Sequence, residues 1–262
     1  MTHLLAERAA LVTGGGGRLG MRIVAVLSRE GAAVAAADLD VDAARAASAA
    51  VEDVGGRATG IEMDVVDERA VDDAITAAEA TLGEIDLLVN CHGYVPSRRL
   101  LEMDADEWGR TFDVNVRGTM LTTRAFARRW VERGTAGAVV NLSSIAAESA
   151  RRGASHYCSS KAAVSMLTQV CALELGEFGI RVNAVAPGLV LDDVCTEGSG
   201  LAPYEAAMVD AIPLGRTGAA DEVAETVAFL LSERSRYTTG AVVSVTGGAH
   251  AGRTHMPYSG SA

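Results

Sequence analysis

Short apolar runs alternate along this chain with longer segments of helical period, and few folds accommodate that rhythm. The runs cover residues 9–13, 32–37, 59–63, 87–90, 138–142, 181–186 and 241–245. Helical segments lie between them at 19–28, 42–54, 68–82, 104–133, 219–231 and from Tyr157 onward to Phe178. In that segment Ala162, Val164, Leu167, Val170, Cys171 and Leu175 recur near a 3.6-residue period. Strands separated by helices of this length build a parallel sheet covered on both faces. Seven strands in 262 residues, with no linker and no repeat, predict one α/β domain. Asp104 and Glu107 have capping-box spacing and open one long helix towards Arg133.

Composition narrows the partners. No apolar stretch is long enough to cross a membrane, and no basic or apolar leader precedes the first strand, so a soluble chain without a membrane partner is expected. A formal net charge of −11 argues against nucleic acid or an anionic membrane as the main partner. Cys91, Cys158, Cys171 and Cys195 show neither metal-ligand spacing nor a disulfide framework. Reduced thiols in a cytoplasm, and no metal, are the expectation.

Two clusters carry chemistry. Residues 13–20 read Thr-Gly-Gly-Gly-Gly-Arg-Leu-Gly at the first strand–helix junction. Glycines there permit a tight turn and close approach of backbone N–H groups to a pyrophosphate. Asp38 ends the second strand, 18 residues after Gly20. A carboxylate at that place accepts hydrogen bonds from ribose hydroxyls and repels a 2′-phosphate, which selects NAD over NADP. The second cluster is Tyr157 and Lys161, four residues apart and so on one helix face. A fixed cation beside a phenol is expected to lower its pKa and make it a usable acid or base.

With these residues assembled, the sequence resembles the classical short-chain dehydrogenase/reductase family from about Ala9 to Gly248. Residues 13–20 match Thr-Gly-x-x-x-Gly-x-Gly, with Arg18 at the middle glycine. Asp64–Val65 matches the pair that contacts adenine, and residues 89–93 resemble Asn-Asn-Ala-Gly, keeping Asn90 and Gly93. Cys91 and His92 have no family role and read as packing residues. Asn115 matches the catalytic helix asparagine, and Ser144, 13 residues before Tyr157, the catalytic serine in preference to Ser143. Pro187–Gly188–Leu189–Val190 matches the loop flanking nicotinamide, with Asp192 where the family often has threonine.

The resemblance implies a Rossmann fold: a doubly wound, mostly parallel seven-stranded sheet with helices on both faces. The domain would span residues 1–248, with a substrate lid near 192–212 and a tail at 249–262. Asn115, Ser144, Tyr157 and Lys161 would be catalytic. Gly14, Arg18, Leu19, Asp38, Asp64, Val65, Asn90, Gly93, Tyr157, Lys161, Pro187 and Val190 would bind the cofactor. That cofactor would be NAD, with NADP less favoured because only Arg18 speaks for it. The implied reaction is hydride transfer between nicotinamide and a secondary alcohol or ketone. A homo-oligomer, a tetramer in the family, would use the Asn115 and Tyr157 helices and the last helix and strand.

The substrate is less defined. Arg98, Arg99, Arg151 and Arg152 lie in loops where a substrate anion would sit, and Tyr94 and Tyr204 are placed to stack. Lid residues Gly198 and Gly200, and tail residues His250, His255, Met256 and Tyr258, fall near the same end. Two competing readings are an NADPH-dependent ketone reductase such as a 3-oxoacyl carrier-protein reductase, and a non-catalytic dinucleotide sensor. The first could use Arg124, Arg128 and Arg129 to dock an acidic carrier; the second is disfavoured because all four catalytic positions are filled.

Overall fold

Strand β1 (Ala9–Thr13) is buried along its whole length, and its side chains alternate between two cores. Ala10 and Val12 join Ile23, Leu27 and Val227 on one face; Ala9 and Leu11 join Ile75, Phe126 and Trp130 on the other. The computed structural model describes residues 3–191, 193–196 and 200–252. After β1 come α1 (Arg18–Arg29), β2 (Ala33–Asp38), α2 (Val41–Glu52), β3 (Ala58–Glu62) and α3 (Glu68–Leu82). Next are β4 (Leu87–Asn90), α4 (Ala105–Phe112), α5 (Thr119–Arg133), β5 (Ala138–Leu142), α6 (Ser155–Leu175) and β6 (Arg181–Pro187). The chain continues through β7 (Val190–Leu191), α7 (Pro203–Asp210), β8 (Gly218–Ala219), α8 (Ala220–Leu231) and β9 (Val242–Val245).

Seven strands pair in the order β3-β2-β1-β4-β5-β6-β9, all parallel, while β7 and β8 form a separate parallel pair. The winding reverses between β1 and β4. In open α/β sheets the crevice beyond the carboxyl ends at such a reversal receives the ligand. Register levels the strand ends there: Thr13 pairs with Ala37 and Asn90, and Asn90 with Asn141. Loops leaving these residues therefore start side by side.

The expected long helix is interrupted. A π-helical turn, Asp113–Gly118, separates α4 from α5. Gly118 lies so close to β3's continuation that a Cβ on it would stand 2.8 Å from Val65 Cγ2 and 3.0 Å from His92 Nε2. The wide turn brings that glycine in and turns Asn115 inward, a use for which π turns are typical. The capping box also fails to form. Asp104 accepts from the Asp106 N–H at 2.8 Å, but Glu107 instead receives Arg98 Nε at 2.8 Å and lies 3.6 Å from His156 Nε2. Helix α7 is an element that periodicity missed. Its signals are local: Pro203 in the first turn and Glu205, whose carboxylate accepts from the Ala202 N–H at 3.0 Å. Among the described residues no helix is long and apolar enough to cross a membrane.

Candidate active site

The glycine loop between β1 and α1 is shaped by contacts that leave no room for side chains. Gly14 has φ +64°, and a Cβ there would meet His92 Cα at 2.7 Å; one on Gly20 would stand 2.0 Å from the Gly14 carbonyl. Gly17 precedes the first turn of α1 with no side-chain cap. Asp38, at the end of β2, accepts from the Gly16 N–H at 3.0 Å and from the Asp40 N–H at 3.1 Å. Its carboxylate is thereby fixed beside the loop. Arg18 donates to the Val190 carbonyl at 3.2 Å, tying the start of α1 to the segment after β6.

Beside this loop lies a cavity of about 390 Å³, whose walls include Arg18, Leu19, Gly93, Ser144, Tyr157, Lys161, Pro187 and Val190. Residues drawn from distant parts of the sequence thus share one chamber. A backbone cradle with no space for Cβ atoms, opening on a cavity with an acid–base pair, fits a dinucleotide. Asn90 does not face it. Its amide donates to Asn141 at 2.8 Å and Thr123 at 3.1 Å and accepts from Thr122 at 2.6 Å, so its side chain ties β4 and β5 to α5. Asp64 and Val65 lie beyond β3, outside the cavity wall, where Asp64 accepts from the Val66 N–H at 3.0 Å. Asp192, Gly198, His255, Met256 and Tyr258 lie outside the described residues.

Tyr157 and Lys161 share one face of α6, the ammonium 5.9 Å from the centre of the phenol ring. Lys161 is 5% exposed, and its Nζ donates to the Leu142 carbonyl at 2.6 Å. The expected lowering of the Tyr157 pKa is not what the structure shows. Burial raises the phenol above its ordinary value, and the opposing pull comes from a Ser144 hydrogen bond and the charge of Arg151. Burial also pushes the Lys161 ammonium down to about 8. Both groups are driven towards their neutral forms because both are buried. Ser144, at the end of β5, accepts from the Ala146 N–H at 3.1 Å. Ser143 also lines the cavity, but its hydroxyl is engaged by α6, 2.7 Å from Ser165 Oγ and donating to the Lys161 carbonyl at 3.1 Å.

Asn115 clamps two segments. It accepts from the Tyr94 N–H at 2.7 Å and donates to the Tyr94 carbonyl at 3.0 Å and to Ser160 Oγ at 2.9 Å. Ser160 in turn donates to the Tyr157 carbonyl at 2.8 Å. The role of Ser160 was not legible, since a serine in a helix gives no sign of its partner. His92 is a buried bridge, with Nδ1 2.6 Å from Thr13 Oγ1. Burial, and then the nearby Lys161 charge, hold its pKa down at about 3, so the imidazole is neutral. Cys91 lines the cavity, but burial pushes its thiol up to about 12, which denies it a nucleophilic thiolate. Packing is the reading both residues keep.

A family profile described as enoyl-(acyl carrier protein) reductase matches residues 18–250. The chain belongs to the short-chain dehydrogenase/reductase family. It is 39% identical to the short-chain reductase protein NovJ of Streptomyces niveus, covering 92% of this chain and 94% of that protein. It is 37% identical to the (3R)-3-hydroxyacyl-CoA dehydrogenase of Homo sapiens, covering 95% and 97%. The crystal structure of a short-chain type dehydrogenase/reductase from Mycobacterium marinum superposes with a TM-score of 0.87 at 33% identity, covering 95% of this chain and 97% of that one. The family binds a nicotinamide dinucleotide, and the dehydrogenase relatives act on CH–OH groups of small molecules.

Proposed function

We propose that this short-chain dehydrogenase/reductase is an NAD-dependent oxidoreductase acting on a secondary alcohol or its ketone. The observation that carries the reading is the convergence of Ser144, Tyr157 and Lys161 on one cavity beside the glycine loop. When bound, the nicotinamide supplies the hydride acceptor or donor. The loop of residues 13–20 would hold the pyrophosphate, Asp38 a ribose, and Asp64 with Val65 the adenine. Lys161 would hold the nicotinamide ribose, and Pro187 with Val190 would flank the ring.

Tyr157 takes the alcohol proton at its phenol oxygen in oxidation and returns it in reduction. Ser144 donates to the substrate oxygen and stabilises the charge developing there. Lys161, held by the Leu142 carbonyl, supplies positive charge to the site while it is protonated, below about pH 8. Asn115 positions the set through Tyr94 and Ser160, and its main-chain carbonyl, which accepts from Thr119 Oγ1 at 2.8 Å, would anchor the water that relays the proton from Lys161.

Asp38 beside the glycine loop favours NAD. The competing NADPH-dependent reductase rests on Arg18, but its guanidinium donates to Val190. Docking of an acidic carrier is weakened, because Arg124 and Arg129 pair with Glu68 and Asp72 of α3. We also infer a cytoplasmic homo-oligomer, a tetramer by family likeness; exposed Val131 on α5 and Val170 and Leu173 on α6 offer an apolar face. Titrating NADH and NADPH by fluorescence tests the cofactor reading. Tight NADH with weak NADPH supports it, tighter NADPH turns it to the reductase, and binding of neither removes it.

A further inference from the structure

Arginines of this acidic chain commonly pair with carboxylates, as Arg22 does with Asp221 and Arg133 with Glu79. Arg151 has different neighbours. Its Nη1 donates to the Tyr204 hydroxyl at 3.0 Å, and its guanidinium carbon stands 5.3 Å from the centre of the Tyr157 ring. Among the described residues no carboxylate lies within 4 Å ion-pair distance of it. It is an exposed cation directed at the proposed acid–base residue, with a tyrosine hydroxyl as its hydrogen-bond partner.

Three segments fix its position. Arg151 sits in the loop after β5, and two residues on, the Gly153 carbonyl accepts from the Arg98 N–H at 2.8 Å, in the loop after β4. Gly153 has φ +76°, and a Cβ there would stand 3.2 Å from Ser97 Oγ, so the two loops lie against each other. Tyr204 belongs to α7, the helix of the expected lid. Arg151 therefore stands where both substrate loops and the lid meet. On the same two loops Arg98 is paired with Glu107, while Arg99 and Arg152 are exposed; Arg151 differs from them in standing over the Tyr157 ring.

We propose that Arg151 reads an anionic group of the substrate, a carboxylate, sulfonate or phosphate within a few bonds of the reacting carbon. A bond in which the guanidinium meets an anion is charged on both sides and stronger than its bond to the Tyr204 hydroxyl, so the substrate takes the place of the phenol oxygen. A planar guanidinium also matches a carboxylate at two points. The proposal rests on the oxidoreductase reading and narrows its substrate class to hydroxy and oxo acids or their close anionic analogues.

The test compares 3-oxobutanoate with its neutral methyl ester, in wild type, Arg151→Gln and Arg151→Lys. Two quantities are read: kcat/KM for NADH oxidation, and binding of each compound to the NADH complex by fluorescence. Wild type is expected to favour the acid, and Arg151→Gln to lower the acid-to-ester ratio by at least about tenfold, with Arg151→Lys between. Tighter binding of the acid that depends on Arg151, without turnover, supports an anion site at Arg151 and counts against 3-oxobutanoate as the substrate. Turnover of both compounds with a ratio unmoved in Arg151→Gln overturns the proposal alone, as does an effect confined to the coenzyme A thioester, whose anions lie far from the reacting carbon. Absence of any Arg151-dependent binding or turnover overturns it as well.

Discussion

The ammonium of Lys161 lies 5.9 Å from the centre of the Tyr157 ring, yet its hydrogen bond goes to the Leu142 carbonyl. Proximity alone therefore does not turn the phenol into a ready base; burial raises its pKa despite Ser144 and Arg151. Oxidation needs the deprotonated phenol and reduction the protonated one. Alcohol oxidation is expected to rise with pH on the alkaline side as the phenol, held above its ordinary value by burial, deprotonates, and ketone reduction to fall over the same interval. Profiles of kcat/KM in both directions check this. An oxidation optimum below neutrality would contradict it.

On the proposed reading Asp38 would select between the cofactors by charge. Replacing it in Asp38→Ser removes the carboxylate that accepts from the Gly16 N–H and that would repel a 2′-phosphate. The NADPH-to-NADH affinity ratio should increase at least about tenfold, the worth of one charged hydrogen bond. Fluorescence titration of both nucleotides against wild type and variant reads that ratio directly. An unchanged ratio would transfer the selection elsewhere.

His92 makes a prediction about stability. Its imidazole takes a proton near 6.5 when unfolded, but only at about 3 in the fold, where burial and Lys161 oppose the charge. The unfolded state thus binds the proton first, and stability falls as pH drops through that interval. The slope from this one group is about 1.4 kcal/mol per pH unit. Between pH 7 and pH 5, wild type should lose about 2 kcal/mol more than His92→Asn, measured by urea unfolding. Equal losses would mean the imidazole accepts its proton in the folded chain.

Strands such as Ala9–Thr13, Leu87–Asn90 and Ala138–Leu142 were legible to the residue because a strand buried on both faces is a short unbroken apolar run. The placement of Ser144 with Tyr157 and Lys161 followed from motif spacing, and the structure brings them to one wall. Features set by tertiary contact were not legible. The π turn at Asp113–Gly118 depends on how closely Gly118 approaches Val65 and His92. Asn90 has the right strand end, but its amide faces Thr122, Thr123 and Asn141. The sign of the Tyr157 shift depends on burial, which a spacing of four residues does not reveal.

The central claim is that Tyr157 moves the substrate proton while hydride passes to or from nicotinamide. Its most direct measurement is initial-rate turnover of wild type and Tyr157→Phe, both saturated with NAD, on secondary alcohols including 3-hydroxybutanoate. NADH fluorescence verifies that the variant still binds cofactor. Removing one hydroxyl should lower kcat by about 10² to 10⁴-fold, the range for losing a general acid–base group, with NADH affinity nearly unchanged. Turnover by Tyr157→Phe within about threefold of wild type, below that range, would show that the proton travels another way.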